Sequence, residues 1–137
     1  MDNQKKTILI TEDEPAMLKI LVDKLTESGF QTLQATNGNE GLQQALLHHP
    51  SLILLDVLMP QMDGMAMLNR LREDPWGKTV PVIMLTNVSA DTNETLEKIV
   101  NTQPAYYFVK SNTKLEDIVE KIKDILSSPA QPEKAVA

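Results

Sequence analysis

Five polar side chains in this sequence each follow a short apolar run, and their types suit one chemistry. Glu12 and Asp13 come after the run at 7–10, Asp56 after 52–55, Thr86 after 80–85 and Lys110 after 106–109. If the runs are neighbouring strands, three acids, a hydroxyl and an amine meet at one rim. Two carboxylates about 4 Å apart repel by roughly 4 kcal/mol at an effective dielectric of 20. Three together therefore require a proton or a cation. Oxygen donors without Cys or His favour Mg²⁺ or Mn²⁺ over zinc. Such a cation and a lysine can neutralise the charge that a transferring phosphoryl group spreads over its equatorial oxygens. A carboxylate can be the nucleophile and carry the group as an aspartyl phosphate.

The elements that must position these residues are legible as five repeats of apolar run, loop and helical stretch. The runs are 7–10, 30–35, 52–55, 80–85 and 106–109. The first, third and fourth are almost entirely apolar, as strands buried on both faces are. The second alternates, as an edge strand does. Pro15 opens a helix that runs to about Ser28, where Gly29 can close it in the left-handed conformation. Asn37 with Glu40, and Thr113 with Glu116, have the spacing of capping boxes. Asp63 can cap a third helix that stops before Pro75. Leu115, Ile118, Val119, Ile122, Ile125 and Leu126 form an apolar stripe, read as core. Right-handed crossovers then give an open parallel α/β sheet with helices on both faces. Ligands bind such sheets beyond the carboxyl ends of the strands.

Composition excludes several classes. There are no cysteines, so neither disulfides nor thiolate metal sites are available. The formal charge of −6, with Lys and Arg scattered, argues against direct nucleic-acid binding. The run at 52–59 is broken by Asp56 and cannot span a bilayer. The apolar stretch at 7–10 is too short for a signal-peptide core, which makes cytoplasm the expected location. Residues 1–128 read as one domain, and 129–137, with Pro129 and Pro132, as a disordered tail or linker end. His48 and His49 suit a helix C-terminus before Pro50. Trp76 reads as surface packing, and the methionines at 59, 62, 65 and 67 as core and loop filler.

Four segments in order, ILITEDEP at 8–15, DVLMPQMDG at 56–64, PVIMLT at 81–86 and YFVK at 107–110, resemble the receiver domains of two-component response regulators. The resemblance covers about residues 5–127. It implies a flavodoxin-like, doubly wound five-stranded parallel sheet of order 2-1-3-4-5 with five helices. It implies that Asp56 accepts a phosphoryl group. Asp13, Asp56 and the Leu58 carbonyl would ligate Mg²⁺, with Glu12 reaching it through water. Lys110 would pair with the phosphoryl group, Thr86 would donate its hydroxyl to it, and Tyr107 would turn inward behind Thr86. The implied partners are a sensor histidine kinase or phosphotransfer protein and a downstream protein. The latter would read a face made by 90–100, the fifth strand and 114–126. No nucleic acid, no membrane and no turnover beyond self-phosphorylation and slow self-dephosphorylation are expected.

Some positions depart from the family pattern. Ser111 follows the lysine where proline is usual, and Asn87 stands where a very small residue is favoured. Leu58 and Val88 are apolar where receivers often carry groups that guide a hydrolytic water, which predicts a long-lived phosphorylated state. Two other readings fit less of the sequence. One is a phosphorylation-independent adaptor, which would be silent to acetyl phosphate or beryllofluoride. The other is a metal-dependent phosphohydrolase, for which Leu58 leaves no second acid beside the nucleophile.

Overall fold

The computed structural model describes residues 5–56, 64–86, 105–109 and 113–127, the side chains of 86, 105, 107 and 109 excepted. Its elements are β1 (Thr7–Thr11), α1 (Pro15–Glu27), β2 (Gln31–Ala35), α2 (Gly38–His48), β3 (Leu52–Asp56) and α3 (Gly64–Arg72). A 3₁₀ turn (Trp76–Lys78), β4 (Val82–Thr86), β5 (Ala105–Val109) and α4 (Leu115–Ser127) follow. All strand pairs are parallel, in the order β2-β1-β3-β4-β5. Four α-helices lie among the described residues. The further helix expected near 90–100 falls outside them, as do the cap at Asp63 and the methionines at 59 and 62.

Burial on both faces explains the uninterrupted apolar runs of β1, β3 and β4. Alternate residues serve different helices. Leu9, Ile53, Leu55 and Met84 pack under α2 and α3 with Ala45, Met67, Leu68 and Leu71. Ile8, Ile10, Leu54 and Leu85 pack under α1 and α4 with Leu21, Leu25, Ile118 and Ile122. β2 is an edge strand with Gln31 and Gln34 exposed.

Helix ends follow the sequence signals with one exception. Pro15 starts α1, and Gly29 closes it at φ 100°. The Asn37 side chain accepts from the Glu40 amide at 2.8 Å, and Glu40 Oε1 accepts from the Thr36 amide at 2.8 Å. At α4 the capping carboxylate is Asp117, which accepts from the Lys114 amide at 3.3 Å, while Glu116 turns to Lys24. Trp76 is also more than surface packing. It lies against the α2–α3 core cluster, and its indole stacks on His49 with centroids 4.2 Å apart and planes 8° from parallel. His49 caps α2 in the left-handed region, φ 50°.

Candidate metal and phosphoryl site

Strand register delivers the acids to one rim. Thr11 of β1 pairs with Leu55 of β3, so the next residues, Glu12 and Asp56, end level with each other. The Glu12 amide extends the β1–β2 ladder by donating to the Ala35 carbonyl at 2.9 Å. Asp56 pairs with Leu85 of β4, which puts Thr86 one residue beyond it at the same rim. Thr86 in turn pairs with Val109 of β5, the residue before Lys110.

Glu12, Asp13 and Asp56 each offer an oxygen, and the three oxygens lie within 4.8 Å of one another. Glu12 is 1% exposed and Asp56 5%, whereas Asp13 is open to solvent. At 4.8 Å each ionised pair repels by roughly 3.5 kcal/mol at an effective dielectric of 20. Burial of two of the three removes the water that would screen them. One Glu12 oxygen, Oε2, accepts from the Glu14 amide at 3.2 Å, which fixes its rotamer at the mouth of α1. Pro15 donates no amide there, so the loop turns on Glu14. The donor set is all oxygen, with no Cys or His among its members. It fits a small hard divalent cation, whose preferred ligands are carboxylates, carbonyls and water.

The remaining sequence candidates divide into two groups. Thr86 and Tyr107 have their backbones placed, in β4 and β5, with Tyr107 opposite Met84. Leu58, Asn87, Val88, Lys110 and Ser111 lie outside the described residues.

The sequence reading missed three supporting side chains. The Thr11 hydroxyl, next to Glu12, is buried and has no hydrogen-bond partner among the described residues. Arg72 Nη1 donates to the carbonyls of Gly77 and Val80 at 2.7 and 2.8 Å, bracing the segment that leads into β4. Its burial pushes the guanidinium down to about 10, still charged at neutral pH. Asp74 Oδ2 accepts from the Trp76 and Gly77 amides at 2.9 and 3.1 Å. The Asp-Pro-Trp-Gly string carried that last signal, since a short acid two or three residues ahead of free amides is a turn former.

Residues 8–123 match the response regulator receiver domain family. The chain belongs to that family. The receiver domain is 42% identical over 86 residues to the probable transcriptional regulator ycf27 of Pyropia yezoensis, a match covering 63% of this chain and 34% of that protein. It is 35% identical over 81 residues to the polar-differentiation response regulator DivK of Brucella ovis, covering 59% of this chain and 66% of the relative. Among solved structures, the signal receiver domain of a signal transduction histidine kinase from Syntrophus aciditrophicus superposes with a TM-score of 0.80 at 36% identity. That match covers 93% of this chain and 95% of the other. The receiver domain thus has the flavodoxin-like α/β fold of its family, and no described helix is long and apolar enough to cross a membrane.

Proposed function

We propose that this receiver domain is a phosphorylation-dependent switch that takes a phosphoryl group on Asp56 from a histidine kinase or phosphotransfer protein. The observation that carries the reading is the trio of carboxylates within 4.8 Å at the strand ends, two of them buried. Carboxylates this close, two of them out of water, call for a proton or a cation, and the all-oxygen donor set favours the cation.

Asp13, Asp56 and the Leu58 carbonyl would hold Mg²⁺, or Mn²⁺, with Glu12 acting through water. Bound there, the cation supplies charge neutralisation for the carboxylates and for the phosphoryl oxygens. Asp56 does the bond making. One of its oxygens bonds phosphorus as the P–N bond to the donor imidazole breaks, and the ring nitrogen keeps the electron pair. Lys110 offsets the charge of the transferred group and Thr86 donates its hydroxyl to it. The product adds a charge of roughly −1.5 to −2 and three strong acceptors at the rim. Thr86 and Tyr107 respond, and the face made by 90–100, β5 and α4 repacks for a downstream protein.

The family's full plan, with a fifth helix between β4 and β5, belongs to this reading. So do the extent of the domain at 1–128, a cytoplasmic location and the absence of nucleic-acid binding. Apolar Leu58 and Val88 leave a hydrolytic water unguided, so the phosphorylated form decays slowly.

Incubation with acetyl phosphate and Mg²⁺ tests the assignment. Mass spectrometry should find one added phosphoryl group on the wild type and none on Asp56→Asn. An Asp56→Asn chain modified to the wild-type extent would overturn it.

A further inference from the structure

Between Glu27 and Asp56 stands a single formally charged residue, Glu40, in a chain that is 23% charged. That stretch builds β2 and α2, so one edge of the molecule is nearly free of charge. The one carboxylate is engaged within the chain, since Glu40 Oε1 accepts from the Thr36 amide and hydroxyl at 2.8 and 3.1 Å. Leu47 of α2 is 76% exposed, the most open large apolar side chain among the described residues. Depletion of charge beside an open apolar side chain is the composition of an interface core. Free sheet edges invite pairing, and proteins commonly block them with lysine, proline or a bulge. β2 has none of these and pairs without interruption with β1 from Gln31 to Ala35. The opposite edge, β5, lies beside the charged α4, whose Lys121 sits over the Tyr106 ring.

The backbone shows which groups the β2 edge leaves open. Along a strand, N–H and C=O point to one side at one residue and to the other side at the next. The Gln31 amide donates to the Lys6 carbonyl and the Ala35 carbonyl accepts from the Glu12 amide, both at 2.9 Å. Gln31, Leu33 and Ala35 therefore face β1, and Thr32 and Gln34 face outward. No strand lies on that side among the described residues. The flanking amides are already taken, Phe30 by the Leu25 carbonyl at 3.0 Å and Thr36 by Glu40. Two amides and two carbonyls remain, bounded by engaged donors at both ends.

We infer that β2 is a contact between two copies of this chain, which pair antiparallel about a two-fold axis at Leu33 and join their sheets. Thr32 then lies opposite Gln34 of the second copy, in a pair that exchanges both backbone hydrogen bonds. The two-fold repeats the exchange, so four bonds use every open group and leave none over. Next along the ladder, Thr36 lies opposite Phe30 of the second copy, and both amides are engaged already. A longer foreign strand would gain no further bonds and would set its own amides against occupied ones. Leu33 meets its counterpart at the axis, where residues of a non-hydrogen-bonded pair come closest. Two molecules of net charge −6 repel, and at this edge they can meet without setting like charges opposite each other.

A contact this small is weak, so the range to scan is dilution from about 1 mM. Sedimentation of the full chain should show a monomer–dimer equilibrium. Amide hydrogen exchange should slow at Thr32 and Gln34 as concentration rises and stay level at Phe30 and Thr36. Thr32→Lys with Gln34→Lys sets like charges opposite each other across the axis. Thr32→Lys with Gln34→Glu sets two opposite-charge pairs there instead. Each pair is worth about 1.4- to 5-fold, so the dissociation constants of the two double variants should differ by roughly 2- to 25-fold, with wild type between them. Circular dichroism checks that both fold; if either does not, the wild-type exchange pattern decides alone. A wild type that stays monomeric at the top of the range overturns the inference. Protection at Thr32 and Gln34 that does not vary with concentration means that the chain covers its own edge, and overturns the second copy as its occupant. A dimer that both double variants form equally well overturns the contact at β2.

Discussion

Thr11 closes β1 with a hydroxyl sealed from solvent, next in sequence to the buried Glu12 and without a hydrogen-bond partner among the described residues. An enclosed, unmatched polar group costs about 1–3 kcal/mol, because water's hydrogen bonds are given up and nothing replaces them. Valine has the same branched shape without that loss. Thr11→Val should therefore stabilise the fold by about 1 kcal/mol. In a chain of this size the thermal midpoint should rise by roughly 3–5 °C, read by circular dichroism. A midpoint that falls would mean the hydroxyl has a partner in solution. Glu12 needs no such correction, since the Glu14 amide already orients it.

Among the elements, α2 comes close to β1 at Gly41, where there is no room for a side chain. A Cβ built there falls 2.8 Å from Thr11 Oγ1, and 2.9 Å from both Thr11 Cγ2 and Met67 Sδ. Met67 is flexible and can give way, but a β-branched threonine on a strand cannot. Alanine at this helical position would gain up to about 1 kcal/mol of propensity and lose about 1–3 kcal/mol to overpacking. Gly41→Ala should therefore be destabilising, and Thr11→Ala should rescue it in part. The double variant would be more stable than the sum of the single effects predicts, in a denaturant double-mutant cycle. The connection after α3 is built as tightly. Gly77 presses on the Leu71 carbonyl, where a side chain has no room, and Arg72 takes the carbonyls of Gly77 and Val80.

At the level of the whole molecule, the sheet could be read from the sequence because β1, β3 and β4 are buried on both faces. Each then needs an unbroken apolar run, and the polar residue that ends it has to stand at a rim. Parallel register did the rest, bringing Glu12 and Asp56 level. Contacts between side chains distant in sequence were not legible. Nothing in the spacing of Thr113 and Glu116 says that Asp117 would take the cap and leave Glu116 for Lys24. Nor does a Pro-Trp-Gly string say which ring the indole will meet. That indole has a practical consequence. Trp76 is the molecule's sole tryptophan, and it precedes β4, whereas the acids follow the strands. A five-residue strand, about 16 Å long, stands between them. Its fluorescence should thus track unfolding of the opposite pole and stay flat through a magnesium titration. A dye or a tryptophan placed elsewhere is needed to watch the rim by light.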